Sequence, residues 1–189
     1  MRFIKRVGLV LLILISLGFI FRGWIYRNLV TYRTTGERKS YSVKEPLFLN
    51  YIISNSEIQQ PGVEDLVKLS LKLTSWKLTF SSGENEKDPN KLISSKEANC
   101  IGYAAFFTAI CNELLDKHRL YDWTAKPQIG QLYFLGTNIH PYLKSAFFRD
   151  HDFVTIENSS TGEVLAVDPS LNDYTRIDFI TFHKALDNL

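Results

Sequence analysis

The sequence predicts an α+β domain behind an N-terminal apolar helix, and three observations carry that expectation. Val7 to Phe21 is an uncharged run of apolar or small residues. Two later stretches, one after Pro61 and one after Asn99, repeat apolar residues at helical spacing. From Trp123 onward the pattern changes to strands separated by turn signals. Helices followed by antiparallel strands argue for α+β. The chain has 189 residues, and setting aside the apolar start leaves about 150, the size of one ordinary domain. With 45% hydrophobic and 22% charged residues, the composition is globular rather than disordered. The net charge of +2 owes several positive charges to the flanks of the apolar run, so the remainder is nearly neutral and offers no basic patch for nucleic acid.

Residues 1–27 are expected to be a membrane anchor. Arg2, Lys5 and Arg6 precede the apolar run and Arg22 ends it, while Gly23-Trp24-Ile25-Tyr26 carries apolar character on to Arg27. The run itself is short for a span, which needs about 20 residues. Counting from Phe3 to Tyr26, with Lys5, Arg6 and Arg22 snorkelling toward headgroups, reaches that length, and Trp24 and Tyr26 suit an interfacial belt. The competing readings are a hydrophobic N-terminal helix of the domain and a cleaved signal segment, but bulky Phe21, Arg22 and Trp24 stand where a small-residue cleavage site belongs. The expectation is a single-pass protein with its domain outside the cytoplasm. Arg22, Arg27 and Arg33 beyond the run oppose that orientation.

Residues 28–60 read as a linker and lead-in, with extended patches at Pro46-Leu47-Phe48-Leu49 and Tyr51-Ile52-Ile53, and residues 61–189 as the domain. Pro61 opens a helix whose stripe is Leu66, Leu69, Leu73, Trp76 and Phe80. Ser81 to Asn90 is a polar loop. The helix from about Asn99 to Leu115 places Cys100, Tyr103, Ala104, Phe107, Ile110, Cys111 and Leu114 on one face and is the most apolar after the N-terminal run, hence the central buried one. Trp123 to Phe134 and His151 to Asp168 read as strands, Tyr174 to Phe182 as a further strand, and His183 to Leu189 as tail.

Cys100 and Cys111 fall in one helix, roughly 16 Å apart at about 1.5 Å per residue, too far for a disulfide. If Asn99 caps that helix, Cys100 sits in its first turn, where the positive dipole end stabilises a thiolate and backbone N–H groups face a developing oxyanion. A rival capping box, Ser94 with Glu97, would move Cys100 into the second turn. Cys111 lies among aromatics, as a core residue does. His151 and Asp168 stand at the open ends of a hairpin turning at Asn158-Ser159-Ser160-Thr161-Gly162. A loop of two or four residues puts them on the same face and gathers Val154, Ile156, Leu165 and Val167 on the other; an odd loop mixes aliphatics with acids. Burial favours the even register, in which the carboxylate orients the imidazole. His118, His140 and His183 have no such partner and read as surface residues.

Asn99-Cys100-Ile101-Gly102-Tyr103-Ala104-Ala105-Phe106, His151-Asp152-Phe153-Val154 and Val167-Asp168-Pro169-Ser170, in that order, resemble the core of the transglutaminase-like superfamily, a papain-like cysteine hydrolase and acyltransferase fold. The resemblance spans about Val63 to Ser170. It departs after His151, where that family often carries Trp and this chain has Asp152-Phe153. It implies a buried helix packed on an antiparallel sheet, and a Cys100 nucleophile, His151 base and Asp168 orienter. It also implies acyl transfer to or from a protein, peptide or amide through a Cys100 thioester, with no cofactor. Water as acceptor gives a protease or amidase; an amine gives a transglutaminase. The alternative is an inactive domain of the same fold, a membrane-anchored binding or assembly module, in which Asp150 and Asp152 crowd His151 and hold it as a cation. A metal site of His140, Asp150, His151 and Asp152 lacks helical ligand spacing. A structural anchor protein, working through its aromatic surface, would need no reactive thiol.

Overall fold

The computed structural model describes residues 2–83, 85–142 and 150–183. Along the chain run α1 (Arg2–Ile20), α2 (Arg22–Leu29), β1 (Val30–Glu37), α3 (Pro46–Ser54), α4 (Val63–Lys77), β2 (Thr79–Phe80), α5 (Pro89–Ser95), β3 (Glu97–Ala98) and α6 (Cys100–Lys117). Then follow β4 (Trp123–Phe134), β5 (Thr137–Asn138), a 3-10 turn at His140–Tyr142, β6 (His151–Asn158), β7 (Val164–Val167), α7 (Pro169–Thr175) and β8 (Thr181–His183). The class is α+β, as the order of patterns predicts.

The main sheet runs β7-β6-β4-β1-β8, with β5 paired to β4. It is antiparallel except where β1 meets β8. β2 and β3 form a separate parallel pair. One face of the sheet packs on α6 and α4: Tyr103, Phe106, Phe107, Ile110 and Leu114 meet Leu66 and Leu73 from one side and Val154, Ile156 and Val167 from the other. Each such side chain contributes about 1.5–3 kcal/mol on burial, which is what seats α6 across the strands. The opposite face gathers Tyr32, Leu132, Phe153, Ala166 and Ile180. Gly130 pairs with His151 in the ladder, and a Cβ there would stand 2.4 Å from the Phe153 ring, so only glycine leaves room for that ring.

Several expectations are corrected. The stretch expected as linker holds β1, which lies inside the sheet between β4 and β8, and its two apolar patches form α3 rather than extended chain. The β-branched run Val30-Thr31-Tyr32-Arg33-Thr34-Thr35 is the reason: it suits a pleated strand, and Tyr32 is buried. Pro61 stands before α4, which Gly62 caps; Trp76 is exposed and Phe80 belongs to β2. The polar loop ends in α5, capped by Asp88 with Pro89 at its first position. Within 174–182 only the end is strand, because Asp168-Pro169 starts a helix as well as ending a strand. His183 closes β8, and the rest of the expected tail lies outside the described residues.

No single helix among the described residues is long and apolar enough to cross a membrane; Arg6–Ile20 and Arg22–Leu29 pass that test only together, and they are bent by 69°. The break has a cause in Arg22. Instead of snorkelling, its guanidinium turns to the domain and donates to the Thr175 carbonyl at 2.6 Å, so α2 belongs to the domain. The apolar side chains of α1 from Val7 onward are exposed.

Candidate active site

Cys100 is the first residue of α6. Asn99 is the N-cap, its Oδ1 accepting from the amides of Ile101 at 3.1 Å and Gly102 at 3.3 Å. The rival cap does not operate: Ser94 lies inside α5 and Glu97 in β3. With the next two amides committed to Asn99, the Cys100 N–H is the remaining candidate donor to an oxyanion at this helix end.

The hairpin adopts the even register. Asn158 bonds Glu163 across a four-residue loop, and Val154 faces Val167 while Ile156 faces Leu165. His151 and Asp168 therefore project on the same side, and His151 Nε2 lies 2.5 Å from Asp168 Oδ2. Both side chains are almost fully buried. Cys100 lies near enough to the ring for its interaction to raise the His151 pKa. Burial alone lowers the His151 pKa, but the Asp168 charge, its hydrogen bond and the Cys100 interaction together raise it to about 10. For Asp168 burial pushes upward, and the His151 charge with its surrounding donors outweighs it, holding the carboxyl below its usual range. Through neutral pH the pair is thus an imidazolium against a carboxylate.

Asp168 is held by more than His151. It N-caps α7: Oδ1 accepts from Ser170 Oγ at 2.8 Å and from the Leu171 amide at 3.0 Å. Oδ2 also accepts from the Tyr32 hydroxyl at 2.8 Å, and Tyr32 in turn lies 2.7 Å from the Tyr26 hydroxyl. Burial first and the Asp168 charge second raise the Tyr32 pKa, so its phenol stays protonated and donates. Sequence reasoning missed Tyr32, Tyr26 and the bond that Ser170 donates to Asp168. The signal for Tyr32 was the β-branched run around it; Tyr26 had only its amphipathic spacing with Arg22.

Of the two acids flanking His151, Asp152 has a partner of its own. Asp152 points to the other face of β6 and is clasped by Arg38, with Nη2 to Oδ1 at 3.0 Å and Nε to Oδ2. Burial pushes the Asp152 pKa up and Arg38 opposes it. His140 is buried rather than on the surface: its Nε2 accepts from the Leu132 amide at 2.8 Å, and burial followed by the His151 charge lowers its pKa. Among the described residues no group of three or more His, Cys, Asp or Glu is arranged to hold a metal. Cys111 is fully buried and its thiol is pushed up to about 12 by that burial, which leaves it inert beside Cys100.

A cavity of about 220 Å³ opens beside His151 and Asp168, walled by Tyr26, Tyr32, Phe80 and Leu132. A second hollow, of about 260 Å³, lies at the Cys100 end of α6 against Ile101 and Ala105 and carries Arg38, Lys39 and Lys87 on its rim. No family model matches the chain, and neither curated proteins nor solved structures match it.

Proposed function

We propose that this chain is a membrane-tethered cysteine acyl-transfer enzyme of the transglutaminase-like class that hydrolyses a peptide or amide bond. The observation that carries the reading is one constellation: a thiol at a capped helix start, near a histidine whose Nε2 is 2.5 Å from a buried carboxylate. The motif order Cys, His, Asp adds to it. The Cys100 thiolate adds to the carbonyl carbon, and the negative charge passes to the oxygen, which takes the Cys100 N–H. Collapse expels the amine with a proton from the His151 imidazolium and leaves a thioester. Neutral His151 then takes a proton from water as it attacks; the carboxylic acid leaves and the thiolate–imidazolium pair returns. Asp168 keeps the ring oriented and stabilises its charge. Apolar α1 supplies the tether, with the domain on the outer side.

The test is iodoacetamide alkylation of the full chain across pH, with labelled cysteines identified by mass spectrometry. Expected is alkylation of Cys100 and not Cys111, persisting well below pH 8 and lost in His151→Ala. An ordinary thiol profile indifferent to His151→Ala overturns the reading and leaves a tethered binding module.

A further inference from the structure

We infer that α2 is a working part of this site rather than a stalk, with Tyr26 and Arg22 as positioning residues that hold Asp168 through the two ends of α7. The inference rests on the proposed Cys–His–Asp reading. Arg22 and Tyr26 are four residues apart and share one face of α2, while Trp24 is turned out and exposed. Arg22 donates to the carbonyls of Thr175 and Arg176, at 2.6 and 3.4 Å, which close the C-terminal end of α7. Tyr26 acts at the other end. The single proton of the Tyr32 hydroxyl goes to Asp168, so the hydrogen bond between the phenols has Tyr26 donating and Tyr32 accepting. A continuous chain of 2.7, 2.8 and 2.5 Å contacts then runs Tyr26, Tyr32, Asp168, His151. Each donation drains charge from the Asp168 oxygen that grips the histidine, because neighbouring hydrogen bonds polarise one another.

Further ties support the docking. Thr181 Oγ1 donates to the Arg27 carbonyl at 2.7 Å, and the Leu135 amide donates to the Leu29 carbonyl at 2.9 Å. α2 is thereby fixed to β8 and to the end of β4, and its C-terminus runs without a loop into β1, which carries Tyr32. Tyr26 also walls the cavity beside His151. Around the imidazole the ionisable groups are Asp168 on α7, Cys100 on α6 and Tyr32 on β1, with the charge of His151 reaching His140 and Asp152. Tyr32 connects the histidine pair to the N-terminal helices through Tyr26.

The full chain in detergent, labelled with 15N at histidine, gives the test through the proton resonance of His151 Nε2–H in its short bond to Asp168. In Tyr32→Phe the resonance moves further downfield, since Asp168 Oδ2 loses a competing donor; Tyr26→Phe moves it the same way by less. Arg22→Ala reproduces the Tyr26→Phe shift, and the double variant adds nothing to it, because both act by one docking event. Trp24→Phe leaves it in place. A resonance unmoved by Tyr26→Phe and by Arg22→Ala in folded protein overturns the inference. If Tyr32→Phe does not fold, those two variants, at half-buried positions, still decide. The resonance does not depend on Cys100 reacting, so failure of the enzyme reading, seen in the alkylation of wild type, is distinct from failure here.

Discussion

At the scale of the residue, Asp168 does two jobs with one carboxylate. Oδ1 caps α7 and Oδ2 binds His151, so the strand end, the helix start and the candidate triad share one side chain. The coupling predicts how stability depends on pH. The folded pKa of His151, at about 10, lies above its usual 6.5, so the stabilisation is fully present below 6.5 and is lost as pH rises through about 10. Across that window the native state holds a proton the unfolded chain has released, and stability falls by up to ~1.4 kcal/mol per pH unit. The Asp168 pKa is depressed, so its share is present above the ordinary carboxylate range and lost as pH falls through the lowered value. Asp168→Asn removes the charge that offsets burial of the imidazole. It is expected to cost roughly 3–5 kcal/mol in urea melts at pH 7 and to flatten the decline between pH 7 and 9. A decline that persists in the variant would show that another group carries the proton.

At the scale of the element, α6 and the β6–β7 hairpin were the parts most legible from sequence. Asn99 with an apolar face behind it marks a helix start, and the parity of a four-residue loop decides which residues share a face. Both rest on local rules, and the structure follows both. Less legible were α3, because an apolar patch too short to show a period reads equally as strand, and α5, hidden in a polar stretch whose cap is Asp88 and whose first residue is Pro89. The cap on α6 has a consequence that can be measured. Asn99→Ala frees the amides of Ile101 and Gly102 and is expected to cost about 1 kcal/mol. It also loosens the turn that aims Cys100 at His151, so Cys100 alkylation at pH 7 should slow more than the modest loss of stability explains. Alkylation at the wild-type rate, with the expected drop in stability, would mean that the packing of α6 alone positions the thiol.

At the scale of the whole molecule, the division into anchor, linker and domain was where sequence reading fell short. Composition distinguishes apolar from polar stretches, but it does not say which apolar residues face protein. Arg22 and Tyr26 look like the interfacial rim of a span, yet they bond to Thr175 and Tyr32; Tyr32 looks like lead-in, yet it lies in the sheet. These are contacts between residues far apart in the chain, which no local period encodes. The working boundary therefore falls at Phe21, where α1 and α2 meet, and not near residue 28. α1 alone is not long and apolar enough to cross a membrane, but its apolar side chains from Val7 onward are exposed. Two truncations locate the boundary. A chain beginning at Arg22 should be soluble without detergent, melt within a few degrees of the full chain and keep its Cys100 reactivity. A chain beginning at Val30 loses the bonds of Arg22 and Tyr26. Two or three such bonds at about 1 kcal/mol each, at about 2–4 °C per kcal/mol, lower the melting temperature by roughly 5–10 °C. Reactivity of Cys100 should fall with it, because Tyr32 then faces Asp168 without its own partner. Equal melting temperatures for the two truncations would place the boundary at Val30 and reduce α2 to a spacer.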